Sequence, residues 1–182
     1  MSYEFHGEIR VSDTEVDAVR NAAYAVITEQ EYDEESVAIT EQVEYSDNYM
    51  YYYCYGLDED TTDTLEYFFC SVTNKIIKLF PECSMYSHIC GTEMSSDTEF
   101  VYTVQLRNRK VKVLDFDYNN EKVDCPNPDC DGGLVSWGEL DFDTEYDCDE
   151  CGQHITVEEM NEIISTYAQE YDVSEFVKTR NC

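Results

Sequence analysis

The sequence predicts an α+β protein: an antiparallel meander with a helix near each end and a small cysteine-bearing module inserted before the last helix. Three observations predict it. Alternating apolar runs are separated by short polar turns. Two Ser/Thr-x-x-Glu capping boxes each precede apolar residues at helical spacing. Two cysteine pairs stand 17 residues apart late in the chain. With 182 residues, 42% of them apolar, the chain can bury a core of ordinary size.

Taken in order, Ser12-Asp-Thr-Glu15 reads as a capping box, and Val16, Val19, Ala23 and Val26 recur on one face, which predicts a helix over 13–28. An acidic turn follows, and then a strand with Val37, Ile39, Val43 and Tyr45 on one side. Residues 46–48 (SDN) turn the chain into YMYYYCYGL. Residues 58–63 (DEDTTD) turn it again into two strands, TLEYFFCSV and IIKLF, the second ended by Pro81. Residues 82–97 are less regular. EFVYTVQL and KVKVLDFDY then form a hairpin around Arg107–Lys110, with Phe100, Tyr102, Val104 and Leu106 alternating. Thr156-Val-Glu-Glu159 is the second capping box. Met160, Ile163, Ile164, Tyr167, Ala168 and Tyr171 follow at the spacing of one helix face. The divisions expected are 1–122, 123–155 and 156–182.

Cys125 and Cys130 are separated by four residues and Cys148 and Cys151 by two, with Gly152 just after. Thiolate pairs on tight turns supply the four tetrahedral ligands that zinc takes in structural sites. Residues 125–154 resemble a zinc ribbon, and the resemblance implies Cys125, Cys130, Cys148 and Cys151 as ligands of a structural Zn2+. A full set of four thiolates leaves no position for a catalytic water. Ordinary reduced cysteines, an oxidation disulfide, or His154 in place of one thiol are the alternatives. Cys83, His88 and Cys90 have poor spacing and read as packed or loop residues, and Cys54 and Cys70 as core thiols. The fold class is therefore α+β, an antiparallel β-meander with an N-terminal helix, an inserted zinc-ribbon-like module and a C-terminal amphipathic helix.

Charge is the outlying property. Acids number 41 and bases 11, for a formal net charge of −30. No Lys or Arg lies between Arg20 and Lys75, which hold 13 acids between them, or between Lys122 and Lys178, which hold 16. Such a field repels nucleic acid and anionic membranes and speeds encounter with basic proteins. Adaptation to high salt is the bland alternative, disfavoured by only 7 Gly beside 16 Tyr. The opening residues MSYEFHGEIR carry no apolar targeting core, and no run approaches a membrane span. Nine cysteines without such a leader suggest a reducing compartment, so a cytoplasmic protein is expected.

Signatures of catalysis are missing. There is no Gly-rich phosphate loop, nucleophile elbow, His-Glu-x-x-His or deaminase pattern, and calcium loops starting at Asp58 or Asp141 lack their glycine. A binding protein rather than an enzyme is expected. If 140–147 is a strand, Asp141, Asp143, Glu145 and Asp147 share one face about 6.8 Å apart, a spacing that can imitate backbone phosphates. With Asp149, Glu150, the Glu31, Asp33, Glu34, Glu35 cluster and the Asp58, Glu59, Asp60, Asp63 cluster, they make an extended negative surface. An ordinary solvated strand face is the simpler reading of the ladder by itself.

In size, acidity and absence of catalytic motifs the whole chain resembles small phage-borne anti-defence proteins, among them the anti-CRISPR inhibitors of guide-RNA nucleases. That resemblance carries over no functional residues. It implies a guide-loaded CRISPR effector nuclease as partner, blocked DNA binding or cleavage as outcome, and the host cytoplasm as location; an anti-restriction DNA mimic is a neighbouring idea. The alternatives are a zinc-ribbon adaptor for a transcription or replication protein, and a metal-dependent hydrolase with an unrecognised site.

Overall fold

The computed structural model describes residues 2–30, 32–93, 98–119, 122–136, 139–141 and 143–179. The chain opens with strand β1 (Tyr3–Ser12), where Phe5, Gly7 and Ile9 are buried on one face and His6, Glu8 and Arg10 stand on the other. Helix α1 (Ala18–Glu29) starts later than its expected capping box. Ser12 pairs with Ser84 across the sheet and Asp13 takes a φ of 60°, so the strand outcompetes the cap. Asp17 caps instead, accepting from the Arg20 N–H at 3.0 Å. Val19, Ala23 and Val26 are buried as expected, whereas Val16, placed on the same face by its spacing, precedes the helix and is exposed.

The sequence of 36–45 reads as a strand, but the structure has helix α2 (Glu34–Thr40) and a short strand, β2 (Glu44–Ser46). Asp33 accepts from the Ser36 N–H at 2.7 Å, and Glu34 and Glu35 sit at the positive end of the helix dipole. Asp47 and Asn48, both at positive φ, make the expected tight turn into β3 (Tyr49–Leu57).

The two strands expected over 64–80 are one long helix, α3 (Glu59–Leu79). Leu65, Phe68, Phe69, Val72, Ile76 and Ile77 fall on one helical face and are fully buried, and that period prevails over the local β-propensity. Asp58 caps the start and Lys78 lies in the last turn. Strand β4 (Ser84–Glu93) fills the stretch expected to be irregular. The hairpin of β5 (Thr98–Arg107) and β6 (Lys110–Asn119) is as expected, its two turn residues Asn108 and Arg109 at positive φ.

Strands β7 (Lys122–Asp124) and β8 (Gly133–Ser136) pair, as do β9 (Tyr146–Asp147) and β10 (His154–Ile155). Helix α4 (Val157–Ser165) begins at the expected capping box, with the Thr156 and Glu159 side chains each bonded to the other's N–H. Thr156→Ala is expected to cost about 1 kcal/mol, read as a shift in the denaturation midpoint. The helix stops short of Tyr171. Residues Gln169–Asp172 form β11, where Glu170 and Asp172 lie opposite Lys112 and Lys110, and Lys110 Nζ reaches Asp172 at 3.0 Å. Helix α5 (Val173–Thr179) follows.

The main sheet has seven antiparallel strands in the order β11-β6-β5-β4-β1-β3-β2. Helices α1 and α3, with α5, cover one face and make the larger core. On the other face Tyr86, Cys90, Val101 and Leu114 join Val123, Leu134, Leu140, Ile155, Met160 and Ile164 in a second core, so the cysteine segment and α4 pack as a third layer. The β1–β3 end of that face carries a tyrosine row. Among the described residues, no helix is long and apolar enough to cross a membrane.

Candidate metal centre and acidic surface

The short hairpins β7–β8 and β9–β10 each present one cysteine pair. The Cys125 N–H donates to Gly132 O and the Cys148 N–H to Gln153 O, both at 2.9 Å, which closes each turn around its thiols. Gly152 takes a φ of 70° where its N–H returns to Cys148 O. The Gly132 N–H points at Cys130 Sγ, 3.3 Å away. Hydrogen bonding from the Gln153 N–H draws the Cys151 thiol down to about 7.

These turns bring Cys125, Cys130, Cys148 and Cys151 together, a group able to hold a metal ion. Cys125 and Cys151 sulfurs are 3.7 Å apart and Cys130 and Cys148 sulfurs 3.6 Å. Both separations are too long for disulfides. A tetrahedral thiolate centre with bonds of about 2.3 Å sets its sulfurs about 3.8 Å apart. These two separations match that value and all four ligand atoms lie within 4.8 Å of one another, so the donor set fits such an ion.

His154 stands outside this group. Its Nδ1 lies 2.8 Å from Asp147 Oδ1 and its Nε2 3.4 Å from Glu145 Oε2, so carboxylates rather than thiolates claim both ring nitrogens. The hydrogen bond to Asp147 raises its pKa above the ordinary 6.5. For a base raised in the folded state, the stabilisation is complete below the unfolded value and fades as pH rises through the folded one. A ring-proton titration should place the His154 midpoint above 6.5, and Asp147→Asn should lower it.

The carboxylate ladder expected over 140–147 is not one strand: among the described residues of that stretch, only Tyr146 and Asp147 belong to a strand. Asp141 and Asp143 form a turn in which the Asp143 N–H bonds Asp141 Oδ1 at 2.9 Å. Arginines on the sheet face pull that turn down. Arg10 Nη2 lies 2.7 Å from Asp141 Oδ2, and Arg107 Nη2 lies 2.7 and 2.9 Å from the two oxygens of Asp143. Arg10 also covers the Tyr86 ring at 4.6 Å, and the Tyr86 hydroxyl donates to Leu140 O at 2.7 Å. Asp149 stands 3.7 Å from Lys122, while Glu150 is exposed. Internal cations and His154 thus engage Asp141, Asp143, Glu145, Asp147 and Asp149, five of the six acids expected here to face a partner.

The acids of the helical layer are different. Asp33 and Asp58 are helix caps, and Glu34, Glu35, Glu59, Asp60 and Asp63 are exposed with no basic partner among the described residues. Glu31 lies outside the described residues. Asp33 and Asp63 share the rim of an open cavity of about 390 Å³ lined by Gln30, Tyr32, Ser36, Thr64 and Tyr67, so the fold joins two clusters that are far apart in sequence. Tyr32 and Tyr67 rings are 6.4 Å apart there. Burial holds the Tyr32 phenol in its neutral form.

Comparison of the chain with protein-family models, with curated proteins and with solved structures gave no significant match.

A third cluster departs from expectation. Cys83 is buried in the helix-side core, whereas His88 and Cys90 face the other way, and the donor beside them is His6 from β1. Sequence spacing could not reveal it, because His6 and Cys90 meet only through the β1–β4 register.

Proposed function

We propose that the protein works by binding. Its α2–α3 acidic face occupies the cationic nucleic-acid surface of a partner protein and blocks access of DNA. The whole-chain resemblance points to a guide-loaded CRISPR effector nuclease as that partner. One observation carries the reading: one acid from each of two clusters, Asp33 and Asp63, borders a concave site flanked by Tyr32 and Tyr67, which suits an inserted arginine or lysine. Carboxylates pair with a guanidinium, and an aromatic face adds cation–π attraction. The four-cysteine centre holds a structural Zn2+ in this account, in a compartment reducing enough to keep its thiols free. Its apolar side is consumed against the sheet, so it braces the fold rather than reaching for a partner.

The test is a pull-down of guide-loaded nuclease and, separately, of RNA polymerase, with competing DNA. Capture of the nuclease, lost on adding DNA and weakened about tenfold in the E34Q/E35Q/E59Q/D60N/D63N variant, is expected. The two capping aspartates are left in place, so the helices keep their ends. Capture of polymerase alone, indifferent to DNA, would favour an adaptor instead.

A further inference from the structure

We propose that His6, His88 and Cys90 form a second metal site, which takes a zinc-class divalent ion with one coordination position open to solvent. The three donors stand on one face of two neighbouring strands. His6 and Cys90 are directly opposed across the β1–β4 pair, and His88 is two residues along β4, on the same face. Their ligand atoms all lie within 4.8 Å of one another. A shared tetrahedral shell would set such atoms about 3.3–3.5 Å apart, so binding has to draw them together by no more than about 1.5 Å.

The surroundings resemble a built site. Thr103 Oγ1 lies 2.7 Å from His88 Nδ1, which fixes the ring and directs Nε2 as the coordinating nitrogen. His88 is 2% exposed and Cys90 9%, so the ligands are held by packing. His6 is packed edge-on against Tyr51, Tyr53 and His88, with ring centroids 5.5, 6.4 and 5.7 Å away.

Two imidazoles and a thiolate are borderline-soft donors that suit zinc, cobalt or copper better than magnesium or calcium. Three protein ligands leave the fourth position unfilled, unlike the four-cysteine centre. His6 and Cys90 border a cavity of about 520 Å³ that also meets Glu4, Tyr51, Tyr53, Ser136 and Glu139. Glu4 is held by the Tyr53 hydroxyl at 2.7 Å. With carboxylates on two walls, the open position takes water or a neutral polar ligand in preference to an anion.

The experiment counts metal. Full-length protein in reducing buffer is equilibrated with Zn2+, freed of excess and analysed for zinc per chain. Wild type should hold two equivalents, and H6Q and C90S one each. Co2+ added to protein whose four-cysteine centre already holds zinc should give tetrahedral visible absorption in wild type and none in either variant. His6 lies near the surface, so H6Q keeps the test valid if C90S fails to fold. One equivalent in wild type, or two in a folded H6Q, would overturn the proposal. Neither result bears on the acidic face.

Discussion

Stripping metal from the four-cysteine centre is expected to unfold the third layer while leaving the helical core intact. Binding at such centres is worth on the order of 10–16 kcal/mol at neutral pH. The module has little else. Its strands β9 and β10 are two residues each, and its apolar content reaches a core only by sharing it with α4 and the sheet. Cys125 and Cys148 are themselves buried in that shared core, so four thiols without an ion leave it poorly closed. Amide hydrogen exchange should therefore rise across 123–164 after chelation and stay slow in β1, β3 and α3. Cys148→Ser should reproduce the pattern without a chelator. If exchange over 123–164 is unchanged once metal removal is verified, the structural role assigned to the centre is wrong.

Phe69→Ala is expected to cost about 3–5 kcal/mol, a large part of the roughly 5–15 kcal/mol that holds such a domain folded. Phe69 is fully buried on α3, with its ring centroid 5.8 Å from Phe5 and 6.3 Å from Phe68. It lies directly on the β1 backbone, where a Cβ placed on Gly7 would come within 2.7 Å of the ring. Gly7→Ala by itself should therefore cost about 1–3 kcal/mol through overpacking. In the Phe69→Ala background the same substitution fills part of the new cavity. Denaturant melts of the four proteins should show the double variant more stable than the sum of the single effects. Strict additivity would mean that the ring does not rest on Gly7.

The Gly7 contact also shows why β1 was illegible in sequence. Tyr3, Phe5, Ile9 and Val11 alternate with polar residues, but the glycine under the aromatic ring removes the apolar position in the middle of that row and leaves too short a pattern on either side. Strand β4 hides for a related reason: its buried Ser87 and His88 are satisfied by Thr73 and Thr103, partners that only the fold supplies. In α3 the β-branched and aromatic residues suggest strands, and only the longer period reveals a helix. The legible elements were those whose signals are local. They include the Asn108–Arg109 turn, the Thr156 capping box and the cysteine pairs, whose chemistry resides in spacing. The fate of the acids was least legible, because Arg10 and Arg107 find Asp141 and Asp143 only across the sheet.

The dissociation constant for the basic partner, followed against salt, most directly tests the claim that the acidic helical face is the binding surface. Wild type should weaken about tenfold or more between roughly 0.1 and 0.5 M KCl, and the five-amide variant should bind weakly with little salt dependence. The variant relieves self-repulsion but gives up the helix-dipole contacts of Glu34, Glu35, Glu59 and Asp60, so a thermal melt accompanies the titration to show that it is folded. Equal affinity and equal salt dependence in the two proteins would contradict the account.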